Sequence, residues 1–206
     1  MANIHGWKLF WVATILLVAM SAILLATTGI DSEGYRLVIR ATARTSIIFF
    51  LGAFMASTMV KLWPGRFSSW LRKNRRYLGL SFVMSHFIHL CAIITLATSD
   101  PALFATLSTK GSIIAGTSGY IAITILAATS FDRIVKWMGA RPWQRFHTAG
   151  TWFIWLSFVF TNGKRIPVSL WYALPVMILF ITLATKIYAK RQGTKTVSIA
   201  SAASSG

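Results

Sequence analysis

Six long runs of uncharged or nearly uncharged residues divide this chain of 206 residues. A helix needs about 20 apolar residues to cross the hydrocarbon core of a bilayer, and most of these runs reach that length. The pattern predicts an all-α integral membrane protein with a six-transmembrane helix bundle over residues 1–190. A short polar tail over residues 191–206 has nothing to pack a core and is predicted to be disordered. The runs are Leu9 to Gly29, Thr45 to Val60, Tyr77 to Ser99, Gly111 to Phe131, His147 to Gly163 and Ile166 to Thr185.

The composition supports a membrane protein and argues against a water-soluble one. Charged residues make up 12% of the chain and hydrophobic residues 55%. Soluble domains usually carry roughly 25% charged residues, about twice as many. The lipid bilayer is therefore the first partner that we expect.

The basic residues indicate how the chain is oriented. The formal net charge is +17, from 21 Lys and Arg against 4 Asp and Glu. These cations lie in short loops instead of on one face, so we expect no nucleic-acid binding. Most of them lie in the N-terminal segment, the second and fourth loops and the C-terminal tail, whereas three of the carboxylates lie on the other side. By the positive-inside rule, both termini are predicted to be cytoplasmic.

Several kinds of chemistry lack the residues that they need. No Asp or Glu lies within any of the six runs, which disfavours carboxylate-pair catalysis and carboxylate-rich di-iron sites. No nucleophile elbow and no glycine-rich phosphate loop is present, and we assign no catalytic residue. The chain leaves no room for a flavin or nucleotide domain after the sixth run, so any flavin is expected to come from a partner protein.

Histidine is the remaining chemistry-bearing residue inside the runs. His86 and His89 share one face of the third helix because they are three residues apart, and His147 lies early in the fifth. Ionisable residues inside a span are costly and usually mark a functional site or a buried hydrogen bond. Three interpretations stay open. The histidines ligate heme iron, they bind copper or zinc, or they only fasten helices together.

Two stretches around these histidines resemble the ferric-reductase-like transmembrane domain. They read "NRRYLGLSFVMSHFIHL" and "SFDRIVKWMGARPWQRFHTAG". That domain occurs in NADPH oxidases, six-transmembrane metalloreductases and the heme subunit of bacterial methionine sulfoxide reductase. The resemblance covers about Arg40 to Thr185. It implies b-type heme between the third and fifth helices, with His89 and His147 as axial ligands of the iron.

This chain departs from the pattern of that domain at one position. Members are similar in carrying a second fifth-helix histidine where this chain has Phe160, so the resemblance implies one heme here instead of two, and His86 is an addition. If the third helix starts near Asn74 and the fifth near Pro142, His147 lies about 8 Å, His86 about 18 Å and His89 about 23 Å from those starts. These distances along the helices therefore favour His86 as the second iron ligand beside His147, whereas the motif favours His89.

These observations lead to one main hypothesis about function. The protein would bind heme b in the membrane, through His147 and either His86 or His89, and would act as an oxidoreductase component. It would move electrons between a cytoplasmic-side donor, a flavoprotein or quinol, and an acceptor in or across the membrane. A redox partner protein or a quinone is the expected partner, and the bacterial inner (plasma) membrane is the expected location. The alternative is a non-enzymatic membrane subunit or scaffold that keeps the fold without heme.

Overall fold

The computed structural model describes the backbone of residues 4–203 and the side chains of residues 4–192. Within that part of the chain there are eight α-helices and one 3₁₀ turn, and no β-strand. The helices are α1 Trp7–Thr28, α2 Ser32–Leu62, α3 Arg66–Ser99, α4 Pro101–Leu107, α5 Lys110–Ala128, α6 Asp132–Met138, α7 Ala140–Gly163 and α8 Ala173–Ala203, with the 3₁₀ turn at Leu170–Tyr172 before α8.

Five stretches are long and apolar enough to cross a membrane, which agrees with the predicted all-α membrane protein. They are Trp7–Thr28, Ser32–Leu62, Arg66–Ser99, Lys110–Ala128 and Leu170–Gln192. Large apolar side chains such as Ile114 and Ile181 are exposed on their surfaces, as expected where a helix contacts lipid. The predicted run His147 to Gly163 lies in α7, which has 24 residues. That helix is not among the five, since His147 and Asn162 make it more polar, and the sixth span stays a prediction.

The last helix extends beyond the predicted sixth run. Its backbone is helical to Ala203 and therefore continues into the segment 191–206 for which the sequence predicts disorder. The side chains from residue 193 onward, and the last three residues entirely, lie outside the described part of the chain. The prediction for the tail stays a prediction.

Local sequence signals explain where the helices begin. Asp31 caps α2, because its carboxylate accepts a 2.9 Å hydrogen bond from the Gly34 amide. Asp100 caps α4 in the same way, and hydrogen bonds from the Leu103 amide and the Ser32 hydroxyl lower the pKa of this carboxyl. Gly139 separates α6 from α7 with φ of 80°, a left-handed conformation that favours glycine.

The antiparallel helices α2 and α3 form the centre of the bundle. Helix α1 packs against both of them, while α5 contacts α3, and α8 contacts α2 and α7. The largest core cluster joins α2, α3, α5, α7 and α8. Its buried members are Phe50, Phe54, Phe82, Ile123, Ile154, Trp155, Phe158 and Leu179.

Polar contacts show which connections share an end of the bundle. Ser32 and Asp100 are hydrogen-bonded, so the α1–α2 and α3–α4 connections lie together at what we call the acidic end. At the opposite, basic end, Arg76 of α3 pairs with Asp132 of α6. The N-terminal segment lies there too, because the Gly6 amide donates a 2.9 Å hydrogen bond to the Asn74 side chain.

Candidate functional site

His89 lies between α2 and α3, in the C-terminal third of α3. It is ten residues from the α3 end at Ser99, or about 15 Å along the axis. Its Nδ1 is 2.9 Å from the carbonyl oxygen of Ile39 and 3.1 Å from the Thr42 hydroxyl. A carbonyl can only accept, so Nδ1 carries the proton, and in the neutral ring Nε2 keeps its lone pair.

A network of hydroxyl groups links α2 and α3 within one helical turn of His89. The Ser85 hydroxyl is 2.9 Å from the hydroxyls of both Thr45 and Ser46, and it donates a 3.0 Å hydrogen bond to the Thr42 carbonyl. Thr42, Ser46 and Ser85 are completely inaccessible to solvent. We call Thr42, Ser46, Ser85 and His89 the central node. Interhelical hydrogen bonds of this kind hold membrane helices together where apolar burial gives no driving force.

His86 lies one turn before His89 in an aromatic environment. Its ring centroid is 4.6 Å from that of Phe82, 5.8 Å from His89, and 5.9 Å from both Tyr120 and Phe158. Its Nδ1 is buried and has no hydrogen-bond partner among the described residues. Such orphaned atoms are unusual in a folded interior. The 5.8 Å between the rings of His86 and His89 confirms that the two α3 histidines lie close together, as their helical spacing predicts.

His147 lies elsewhere, in the second turn of α7 at the basic end. Its Nε2 is 2.9 Å from the hydroxyl of Thr129, the residue that follows α5. Its ring packs against that of Trp143, with the centroids 4.3 Å apart, and the Trp143 indole donates a 2.7 Å hydrogen bond to the Thr129 carbonyl. We call Thr129, Trp143 and His147 the edge node. This node joins the end of α5 to the start of α7.

The structure does not bring His147 to the α3 histidines. Along α5, Thr129 is nine residues from Tyr120, which touches His86, and this corresponds to about 14 Å. Along α7, His147 is eleven residues from Phe158, which also touches His86, and this corresponds to about 17 Å. Phe160, where the ferric-reductase-like domain that the sequence resembles has a second histidine, is 63% exposed.

The start assumed for the third helix was wrong by eight residues, whereas the start assumed for the fifth, near Pro142, is within two residues of the observed one. Helix α3 begins at Arg66 and α7 at Ala140. Asn74 is a fully buried residue inside α3, not a cap, and its side chain donates to the Trp70 carbonyl and accepts from the Gly6 amide. His86 is consequently twenty residues into its helix, whereas His147 is only seven residues into α7.

This geometry limits what the histidines can bind. The two axial ligands of one heme iron must face each other across the macrocycle, so His147 and an α3 histidine do not fit a single heme in this arrangement. No group of three or more His, Cys, Asp or Glu side chains in the described residues can hold a metal ion, which leaves the copper or zinc interpretation without support. His89 has the donor chemistry of a metal-binding imidazole, with Nδ1–H bound to the Ile39 carbonyl and no hydrogen bond to Nε2 among the described residues.

The central node was not predicted from the sequence. Polar residues in and beside this node recur at spacings of three and four on α2, as Thr42, Thr45 and Ser46, and at a spacing of four on α3, as Ser81, Ser85 and His89. That spacing was the available signal for a polar face inside a span.

No protein-family model, no curated protein and no solved structure matches this chain.

Proposed function

We propose that this protein is a membrane subunit that binds b-type heme at His89 and moves electrons, as the resemblance to the ferric-reductase-like domain implies. The observation that carries the proposal is the hydrogen bonding of the two ring nitrogens of His89. Its Nδ1 is bound by the Ile39 carbonyl, and no hydrogen bond engages its Nε2 among the described residues. A second interaction that fixes the ring and its tautomer is typical of histidines that ligate a metal.

The depth of His89 supports the same proposal. Placing an imidazole inside a membrane span is costly, and a purely structural hydrogen bond needs no ionisable group, because Thr42 and Ser85 already link α2 to α3. His86 adds a second imidazole in the same layer, with a buried nitrogen that lacks a partner among the described residues. Heme, when bound, supplies one-electron transfer, and the protein supplies the ligand and the apolar surroundings that tune it.

The proposed orientation and partners follow from the charge distribution. The basic end is proposed to face the cytoplasm because it carries the densest Lys and Arg cluster. A flavoprotein or quinol on that side would donate electrons, and an acceptor in or across the membrane would receive them. Flavin would be present only through such a partner.

An absorption spectrum tests the proposal directly. The protein should be purified in mild detergent, and its spectrum should be recorded in the air-oxidised and the dithionite-reduced forms. We expect a reduced b-type spectrum, a heme stoichiometry near one, and loss of both in His89→Ala. His5→Ala serves as the matched control, since His5 lies at the basic end, where its ring is hydrogen-bonded to Asn74. A folded wild-type protein that binds no added hemin would contradict the proposal.

One observation favours a second candidate, a heme-free membrane subunit or scaffold. The rings of Phe82 and Phe158 pack against His86, so aromatic side chains fill the space between α3 and α7 at this depth. His89 and His147 also have hydrogen bonds that connect helices without any cofactor. Absence of heme together with loss of stability in His89→Ala would support this candidate.

A further inference from the structure

Arg75 and His147 lie on the faces by which α3 and α7 approach each other. Arg75 is seven residues before Phe82 on α3, and His147 is eleven residues before Phe158 on α7. Residues seven or eleven apart lie on nearly the same face of an α-helix. The rings of Phe82 and Phe158 are in contact, with their centroids 6.0 Å apart. Toward the basic end, the same two faces therefore carry Arg75 and His147.

Lys186 of α8 reaches the same part of the bundle. Its Nζ lies 4.0 Å from the centroid of the Phe54 ring, and that ring meets the Trp152 ring of α7 edge-on at 5.1 Å. Trp152 follows His147 by five residues on α7. Arg75 is close enough to both Lys186 and His147 for their charges to interact. Side chains from three helices thus bring positive charge together beside an aromatic wall.

The carboxylates of the chain do not neutralise Arg75 and Lys186. All four carboxylates in the sequence are engaged elsewhere, either as helix caps or by other arginines, and they are Asp31, Asp100, Glu33 and Asp132. Within the side chains that the structure describes, neither Arg75 nor Lys186 has a hydrogen bond or an ion pair. The Phe54 ring attracts the Lys186 ammonium but accepts none of its N–H donors as a strong hydrogen bond.

Two like charges held near each other favour a bound anion. Their repulsion is stronger beside the apolar rings than it would be in bulk water, and an anion between them turns it into attraction. A phosphate group suits the pair, because a guanidinium donates two parallel hydrogen bonds to phosphate oxygens and an ammonium adds a compact charge. Arg75 is exposed, so a phosphate can reach it from the aqueous side of the basic end.

We propose that Arg75 and Lys186 bind a phosphate group at the basic end of the bundle, between α3, α7 and α8. Arg75 contacts two of its oxygens and Lys186 contacts another, with Trp152 beside them. The phosphate belongs to a phospholipid headgroup or is free in solution, since both sources present the same oxygens. The inference goes beyond the proposed function and does not depend on heme, because His89 lies fourteen residues from Arg75, about 21 Å along α3.

Thermal unfolding in detergent tests for free phosphate. The unfolding temperature of the full chain is measured over a series of inorganic phosphate concentrations and, at equal ionic strength, in sodium chloride. Binding of free phosphate raises the unfolding temperature of the wild type above its value in chloride, and the effect saturates. The double variant Arg75→Gln, Lys186→Gln should lose this difference.

A matched control pair removes the same charge from the same end. Lys61 and Lys73 are both exposed, and Lys73 lies on the side of α3 opposite Arg75 because it is two residues away. The variant Lys61→Gln, Lys73→Gln should therefore behave as the wild type does. An equal loss in the control pair would show that phosphate responds only to the net charge of this end.

Lipid retention measured by native mass spectrometry tests for a phospholipid headgroup. The full chain is placed in nanodiscs made of equal amounts of phosphatidic acid and phosphatidylcholine with identical acyl chains, and is then released into detergent. A headgroup site retains one phosphatidic acid in preference to phosphatidylcholine, whose phosphate is balanced by choline. Arg75→Gln, Lys186→Gln should retain it about thirtyfold less, since each basic residue near a membrane surface contributes about fivefold.

The two measurements together identify the source of the phosphate. A specific phosphate effect identifies a free phosphate, and preferential retention of phosphatidic acid identifies a headgroup. A wild type that shows neither effect would overturn the proposal, as would equal losses in the control pair. If the double variant fails to fold, Lys186→Gln alone should weaken binding about fivefold, and unchanged binding in that variant would contradict the proposal as well.

Discussion

The central node and the edge node both hold an imidazole between two helices, yet they differ in depth and in support. In the central node, His89 sits about 15 Å inside the bundle on hydroxyl groups that are inaccessible to solvent. In the edge node, His147 is half-buried at the end of α5 and is held by one hydroxyl and one indole ring. The comparison shows that the central node fixes the orientation of an imidazole inside the bundle, whereas the edge node joins two helix ends.

The sharpest way to test this difference is to remove each imidazole in turn. His89→Ala should abolish heme binding, because it removes the proposed ligand. His147→Ala should retain most of the heme, because His147 lies about 14 to 17 Å along the helix axes from the level of His86. His86→Ala should only shift the spectrum, as expected of a neighbour that does not ligate. Heme content per protein and the reduced spectrum are the measurements. Loss of heme in His147→Ala with retention in His89→Ala would mean that the nodes have the opposite roles.

A second test enlarges a side chain in the central node. Ser85→Leu should lower the free energy of unfolding in detergent by about 2–3 kcal/mol, because it forces a larger group into a completely packed site and removes interhelical hydrogen bonds. Ser118→Leu is the matched control, since Ser118 is exposed on α5 and bonds only within its own helix. The difference between the two variants, measured by denaturant titration, reports the tightness of the node. Equal stabilities would show that α2 and α3 are not locked together there.

How much of this arrangement was predictable from the sequence depends on the kind of signal. Five candidate spans agree with predicted runs. Hydropathy is a local property, and averaging it over about 20 residues is enough to identify an apolar helix. The start of α3 was missed because Asn74 resembles a cap, although it actually binds the N-terminal segment, a contact 68 residues distant in sequence. The hydroxyl network was missed because Ser and Thr barely change the hydropathy of a run.

The positions of the histidines show a different limit. The proximity of His86 and His89 follows from helical spacing alone, and the structure brings them together. The level of His147 relative to them depends on how far α7 slides along α3 and α5, which side-chain packing decides. Counting residues from assumed helix starts could not provide that level.

A third test concerns how closely α5 and α7 approach beside the edge node. A Cβ at Gly150 would stand 2.6 Å from Cδ2 of Leu126, so Gly150→Ala requires the Leu126 side chain to move. We expect Gly150→Ala to be about 1 kcal/mol less stable than Gly116→Ala. Both changes bring the same gain in helix propensity, but a Cβ at Gly116 meets nothing within 4 Å. Thermal unfolding in detergent measures the difference, and a Gly150→Ala protein as stable as the control would indicate a looser α5–α7 contact than the structure has.

The smallest expected effect is electrostatic and belongs to the basic end, next to the edge node. The hydrogen bond from Arg76 lowers the pKa of Asp132, which lies outside the five candidate spans. A carboxyl whose pKa is depressed in the folded state contributes stability above its unfolded value, near about 4, and loses that contribution as the pH falls through the folded pKa. Both side chains are substantially exposed, so the contribution is small and is further weakened by salt. We therefore expect Asp132→Asn to lower the unfolding temperature slightly at pH 7, and to match the wild type at a pH below the folded pKa.

Glu33→Gln, which breaks the Arg36 pair at the acidic end, is the control, and it should leave the link between α3 and α6 intact. A difference between Asp132→Asn and the wild type that stays constant from pH 7 into the acid range would show that the ion pair does not join these helices.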